Sequence, residues 1–109
     1  MNTNRKIKIV STGYYLPKAI SSEELEKKYN LSKGWSERYS GVRSRHHATF
    51  ESNGYMGARA IESALENSDL ELSDIDLIIS AGATFDYPLP NQSSITKSEL
   101  KEGLKYNIP

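Results

Sequence analysis

No cysteine occurs among the 109 residues, so the chain holds no disulfide framework, no thiolate metal site and no thiol nucleophile. An excess of charge is missing as well. Fourteen Lys plus Arg stand against fourteen Asp plus Glu, a formal net charge of +0, and the whole-molecule field offers no attraction to nucleic acid or an anionic membrane. Any anion site is therefore local. No apolar run approaches the roughly eighteen residues of a membrane span, and the start, Met1 to Lys6, leads only into the short stretch Ile7-Lys8-Ile9-Val10, which is no signal-peptide core. A soluble cytoplasmic protein is the expectation. Ser11, Ser80, Thr84 and Ser93 sit in no Gly-x-Ser-x-Gly elbow, which excludes that route to a hydrolase. Gly82-Ala83-Thr84 lacks the Gly-Lys pair of a phosphate loop.

What is present reads as a chain with room for one hydrophobic core or part of one. Ile7-Lys8-Ile9-Val10 is β-branched and is followed by Gly13 and Pro17, which predicts a first strand ending in a turn. Ser21, with Glu24 three residues on, forms a capping-box pattern ahead of Lys27 and Lys28, which predicts a helix from about Ser22 to Tyr29. Ser32 is the expected cap of a second short helix that carries Trp35 and Tyr39 on one face and stops at Gly41. Val42, Ser44, His46 and Ala48 alternate with Arg43 and Arg45 as in an edge strand.

From Ser52 to Asn67, Met56, Ala60, Ile61, Ala64 and Leu65 recur at helical spacing, with Arg59, Glu62 and Glu66 expected outside. Ile75 to Ala81 is a short apolar run of the kind buried on both faces in mid-sheet. Pro88 and Pro90 mark Gly82 to Asn91 as a loop. A surface helix with Ile95, Leu100 and Leu104 is expected after Asn91, ending near Gly103 to Asn107. Strands alternating with helices predict an α/β layer architecture.

Trp35 is the one tryptophan, and beside Arg38 its indole could sandwich a planar ligand such as adenine; packing as a core anchor is the competing reading. Arg43, Arg45, His46 and His47 together suit a phosphate, against the plainer reading of a solvated charged face. Neighbouring histidines of an extended segment point to opposite sides, so His46 and His47 do not make a metal site. No metal is assigned.

Ser11 to Pro17, Glu24-Leu25-Glu26, Trp35, Ser40 to His46, Ala58-Arg59-Ala60-Ile61, Asp76 to Ala81 and Leu89-Pro90 follow one another in the order and at the separations of a known family. Across Ile7 to about Ser94 the sequence resembles ketoacyl-acyl carrier protein synthase III, a thiolase-fold condensing enzyme. The resemblance implies an α/β fold class, residues 1–109 being a partial amino-terminal domain of an enzyme layered α-β-α-β-α and usually a homodimer. It implies condensation of an acyl-CoA primer with malonyl-acyl carrier protein in fatty acid synthesis, with acyl-CoA as substrate and no cofactor. A Cys nucleophile at a helix N-terminus, with a His and an Asn, performs the chemistry in that family. None of the three is matched in this chain, and all are expected beyond Pro109, so these residues alone are expected to be inactive.

By the same resemblance, Trp35 matches a tryptophan that stacks on the adenine of CoA. Tyr39 stands where the family has a CoA-contacting arginine, with Arg38 one position earlier. Leu89 takes the place of a bulky apolar residue that reaches the acyl pocket across the dimer interface. Two alternatives remain open: a related condensing enzyme of specialised metabolism, and a non-catalytic α/β module that binds CoA or a protein through Trp35 and Arg43 to His47.

Overall fold

The computed structural model describes residues 6–109; the opening residues 1–5, part of the reading that excluded a signal peptide, lie outside the described residues. The chain forms two compact units, 16–51 and the combination of 6–15 with 52–109.

In the unit 16–51, β1 (Lys18–Ser21) pairs antiparallel with β2 (Ser44–His47), Lys18 opposite His47 and Ser21 opposite Ser44. α1 (Ser22–Lys28) follows β1 directly. Its N-cap is Ser21, whose Oγ accepts from the Glu24 amide at 3.1 Å while the Glu24 carboxylate accepts from the Ser21 amide at 2.9 Å, the reciprocal box its sequence predicts. Glu23 and Glu24 in the first turn and Lys27 and Lys28 in the last complement the helix dipole. The buried Ser22 fastens this start to the approach of β2, donating its Oγ to Val42 O at 2.6 Å and its amide to Arg43 O at 2.8 Å. β2 bears out the edge strand read from the alternation at 42–48. β1 has no counterpart among the sequence expectations.

In the other unit, α3 (Asn53–Glu66) is the longest helix, N-capped by Ser52, whose Oγ accepts from the Tyr55 amide at 3.0 Å. The segment 11–15 runs along it. Ser11 Oγ donates to Ala64 O at 2.7 Å, Tyr15 meets the Tyr55 ring edge-on at 5.7 Å, and between them Gly13 lies directly on the backbone of Ala60 and Ala64. α4 (Gln92–Glu99) packs on the small-residue face of α3, with Ile95 against Gly54 and Thr96 against Gly57.

Four expectations change. Ile7 to Val10 and Ile75 to Ala81 are not strands, because a strand exists only through its ladder and neither segment has one among the described residues, Ile78 making a single backbone hydrogen bond, to Pro109 O at 3.1 Å. Ile79 is accordingly 81% exposed rather than buried on both faces. Arg59 and Glu62 are not on the outside of α3; they form an ion pair at 3.0 Å with side chains only 21% and 19% exposed, and Arg59 also donates to Glu99 O at 2.6 Å. α4 is a surface helix as expected, with Gln92 and Thr96 on its buried face, but it ends at Glu99, earlier than expected. The buried Leu100 closes it while Leu104 lies exposed.

Candidate functional site

α2 (Trp35–Ser40) carries three of the four residues singled out for substrate binding, and its ends are set by two glycines. Gly34 and Gly41 both occupy the left-handed region, with φ of 79° and 68°, where a side chain is strained. Gly41 bears out the expected stop. The expected cap, Ser32, is replaced by Gly34, which has no side chain to accept from the first turn of α2; the Trp35 amide donates to Ser32 O at 3.0 Å, and the Gly34 and Ser36 amides need an acceptor from elsewhere. Glu26 of α1 supplies it. Its buried carboxylate accepts from the Gly34 amide at 2.9 Å and the Ser36 amide at 2.8 Å, and these hydrogen bonds, chiefly that from Ser36, hold its pKa below the usual carboxylate value. Glu26 was quoted in the sequence only as part of a family match; its role in α2 is non-local and left no periodic trace.

On this short, clamped helix the Trp35 and Tyr39 rings sit one turn apart, centroids 5.0 Å and planes tilted by 42°. Trp35 is 41% exposed, so it is not a core anchor. Arg38 is exposed and forms no ion pair among the described residues.

The basic segment that follows is divided. Arg43 Nε donates to Glu37 Oε1 at 2.8 Å, and His46 Nδ1 donates to Pro17 O at 2.7 Å, fixing that tautomer. The β1–β2 register then places His46 on one face of the pair and Arg45 and His47 on the other, beside Lys18. The four basic residues therefore do not converge on one phosphate.

Leu89, the fourth candidate, belongs to the other unit, in the loop 82–91, and is 84% exposed. That loop is held by Asp86, which sequence reasoning missed. Its carboxylate accepts from the Asn53 amide at 2.8 Å, the Gly54 amide at 2.7 Å and Gln92 Nε2 at 3.0 Å, while its own amide donates to Gln92 Oε1 at 2.9 Å. Burial opposes its ionisation, yet the Gln92 side chain and the Gly54 and Asn53 amides outweigh it and lower the pKa.

No family model matches the chain. Individual relatives do. The beta-ketoacyl-acyl-carrier-protein synthase III of Chlamydia pneumoniae is 36% identical over 102 residues, 92% of this chain and 30% of that protein. The enzyme of the same name from Neisseria gonorrhoeae strain NCCP11945 is 37% identical over 95 residues, 85% of this chain and 30% of its own length. The crystal structure of 3-oxoacyl-acyl-carrier-protein synthase III from Aquifex aeolicus VF5 superposes with a TM-score of 0.76 at 34% identity, covering 86% of this chain and 31% of that one. The resemblance read from the motifs is borne out, as is the α/β class of a thiolase-like part. The chain spans about 30% of the length of the relatives it matches.

Proposed function

We propose that the chain is the amino-terminal part of a ketoacyl-acyl carrier protein synthase III and contributes the adenine shelf of an acyl-CoA site. The intact enzyme, a homodimer in the cytoplasm, condenses an acyl-CoA primer with malonyl-acyl carrier protein, with acyl-CoA as substrate and no cofactor. The observation that carries this reading is the exposed Trp35, displayed with Tyr39 on a helix of one and a half turns whose ends are both fixed. Fixing the helix lowers the ordering cost of stacking a base, which is the general advantage of preorganisation. Arg38 stands on the same helix as a fork for phosphate oxygens, and Tyr39 extends the ring surface where the family has an arginine. Leu89 faces the acyl end of the primer. The nucleophile is no part of these residues, which contain no cysteine, so the 109-residue chain forms no acyl-enzyme and no carbon–carbon bond by itself.

Because Trp35 is the one tryptophan, its fluorescence reports on the shelf directly. Titration of CoA into the protein should quench it saturably, and Trp35→Phe should remove the emission. In the active enzyme, Trp35→Ala should weaken acyl-CoA use by about 1 to 3 kcal/mol, expressed in KM. Fluorescence indifferent to CoA, with an unchanged KM, defeats the shelf. The alternative is a non-catalytic module that binds CoA or a protein partner. CoA-dependent quenching in a full-length protein that still lacks a cysteine would establish it over the synthase. A synthase of specialised metabolism is separated from one of fatty acid synthesis by its primer and product.

A further inference from the structure

We propose that Asp86 is a positioning residue that tethers the loop 82–91 to the start of α3 and to Gln92 of α4, and so fixes where Leu89 is presented to the primer. The second half of this statement rests on the synthase reading; the tether does not.

The residues from 75 to 91 contain no helix and no paired strand, so their backbone is held by neither kind of ladder. Pro88 and Pro90 flank Leu89 and carry no amide hydrogen at all. Packing does not hold the loop either, as Phe85, Tyr87 and Leu89 are all exposed. What fixes it is one carboxylate with three donors, at 2.7, 2.8 and 3.0 Å, and one amide returned to Gln92. Hydrogen bonds to an ionised acceptor are about twice as strong as neutral ones. A negative charge at the start of a fourteen-residue helix is also favoured by its dipole.

Asp86 is not needed as a cap. α3 already has Ser52, and α4 has Asn91, whose side chain accepts from the Ser94 amide at 2.9 Å. Asp86 instead takes the two α3 amides that Ser52 does not satisfy, and it reaches them from thirty-two and thirty-three residues away. The site is shaped for it: a Cβ at position 54 would lie 3.2 Å from Asp86 Oδ2 and 2.7 Å from Ile95 Cγ2. Buried Gln92 is the other jaw, since its amide both donates to Asp86 and accepts from it. Leu89 is three residues from this anchor, between two prolines that restrict the intervening backbone, so the anchor's position is passed to it.

The test uses Asp86→Asn and Gln92→Leu in the full-length protein, with amide hydrogen exchange and kinetics on acetyl-, isobutyryl- and hexanoyl-CoA. Asparagine keeps one acceptor but turns an NH2 toward N–H donors. Exchange of the Asp86 amide, which donates to Gln92, should quicken about tenfold or more, the scale of a lost charged hydrogen bond, while the amides of 57–66 in α3 keep their protection. Gln92→Leu should do the same. With the loop released, discrimination between best and worst primers should shrink several-fold, with kcat on the best primer changed less. Unchanged exchange of the Asp86 amide overturns the tether, and loss of protection along α3 to the same extent reduces Asp86 to a helix cap. Retained primer discrimination with a loosened loop overturns the link to Leu89. If the wild-type protein condenses no primer, the synthase reading fails, and the exchange result still decides the tether.

Discussion

Glu26 gives α2 the acceptor that its glycine cap cannot, and the consequence is a pH dependence of known sign. Its pKa is lowered in the folded chain from an ordinary 4.5, so as pH falls the unfolded chain takes up the proton first. The stability these hydrogen bonds supply is complete above the ordinary carboxylate value and is lost as pH falls through the lower, folded one. A urea series followed by circular dichroism should show a midpoint that drops in that acidic window. In Glu26→Gln the midpoint should be lower at neutral pH and less sensitive to acid; an identical acid slope would remove Glu26 from the account. Gly13 poses a different constraint. A methyl there would meet the backbone of Ala60 and Ala64 in α3, which cannot step aside as a flexible side chain can. Gly13→Ala should destabilise the protein by about 1 to 3 kcal/mol, the usual cost of overpacking, measured as a lower midpoint at unchanged slope.

At the scale of elements, the local rules carried furthest. The Ser21–Glu24 box, the stop at Gly41 and the amphipathic stretch capped at Ser52 were all legible, because each is written within a few residues. Ser21→Ala should cost about 1 kcal/mol, and because Ser21 is also the last residue of β1, slowed amide protection should fall in β1 and α1 together. Loss confined to α1 would mean the cap and the strand are independent. What was illegible is what depends on a partner far along the chain. Lys18–Ser21 has little of a strand's composition and is one because β2 lies beside it. Ile75 to Ala81 has the composition and is not a strand, for want of that neighbour. Arg59 and Glu62 look solvated by spacing, yet an ion pair and the carbonyl of Glu99 let them lie mostly buried. At the candidate site, Trp35 and Arg38 were legible from their own chemistry and Tyr39 and Leu89 from the family pattern, while Asp86, and Glu26 in its role at α2, act across gaps that periodicity does not register.

For the molecule as a whole, the decisive feature is how much β-branched and leucine surface stays in water. Ile7, Ile9, Val10, Leu77 and Ile79 are all exposed, Ile9 by 80% and Ile79 by 81%, and they lie in segments with no strand partner among the described residues. Unpaired backbone beside apolar side chains is a template for another chain, and contiguous exposed apolar surface marks an interface or an aggregation liability. Charge does little to keep copies apart, since the formal net charge is +0. The 109-residue chain on its own should therefore self-associate, with a mass by light scattering that rises with concentration and rises further in ammonium sulfate, which strengthens apolar burial. Ile9→Lys with Ile79→Lys should move the population toward monomer, because each places a charge where association would have to desolvate it. Both positions are too exposed for the change to cost the folded chain much. A monodisperse monomer at every concentration, with a sharp unfolding transition, would mean these segments need no cover, and would count against the chain being one part of a larger layered core.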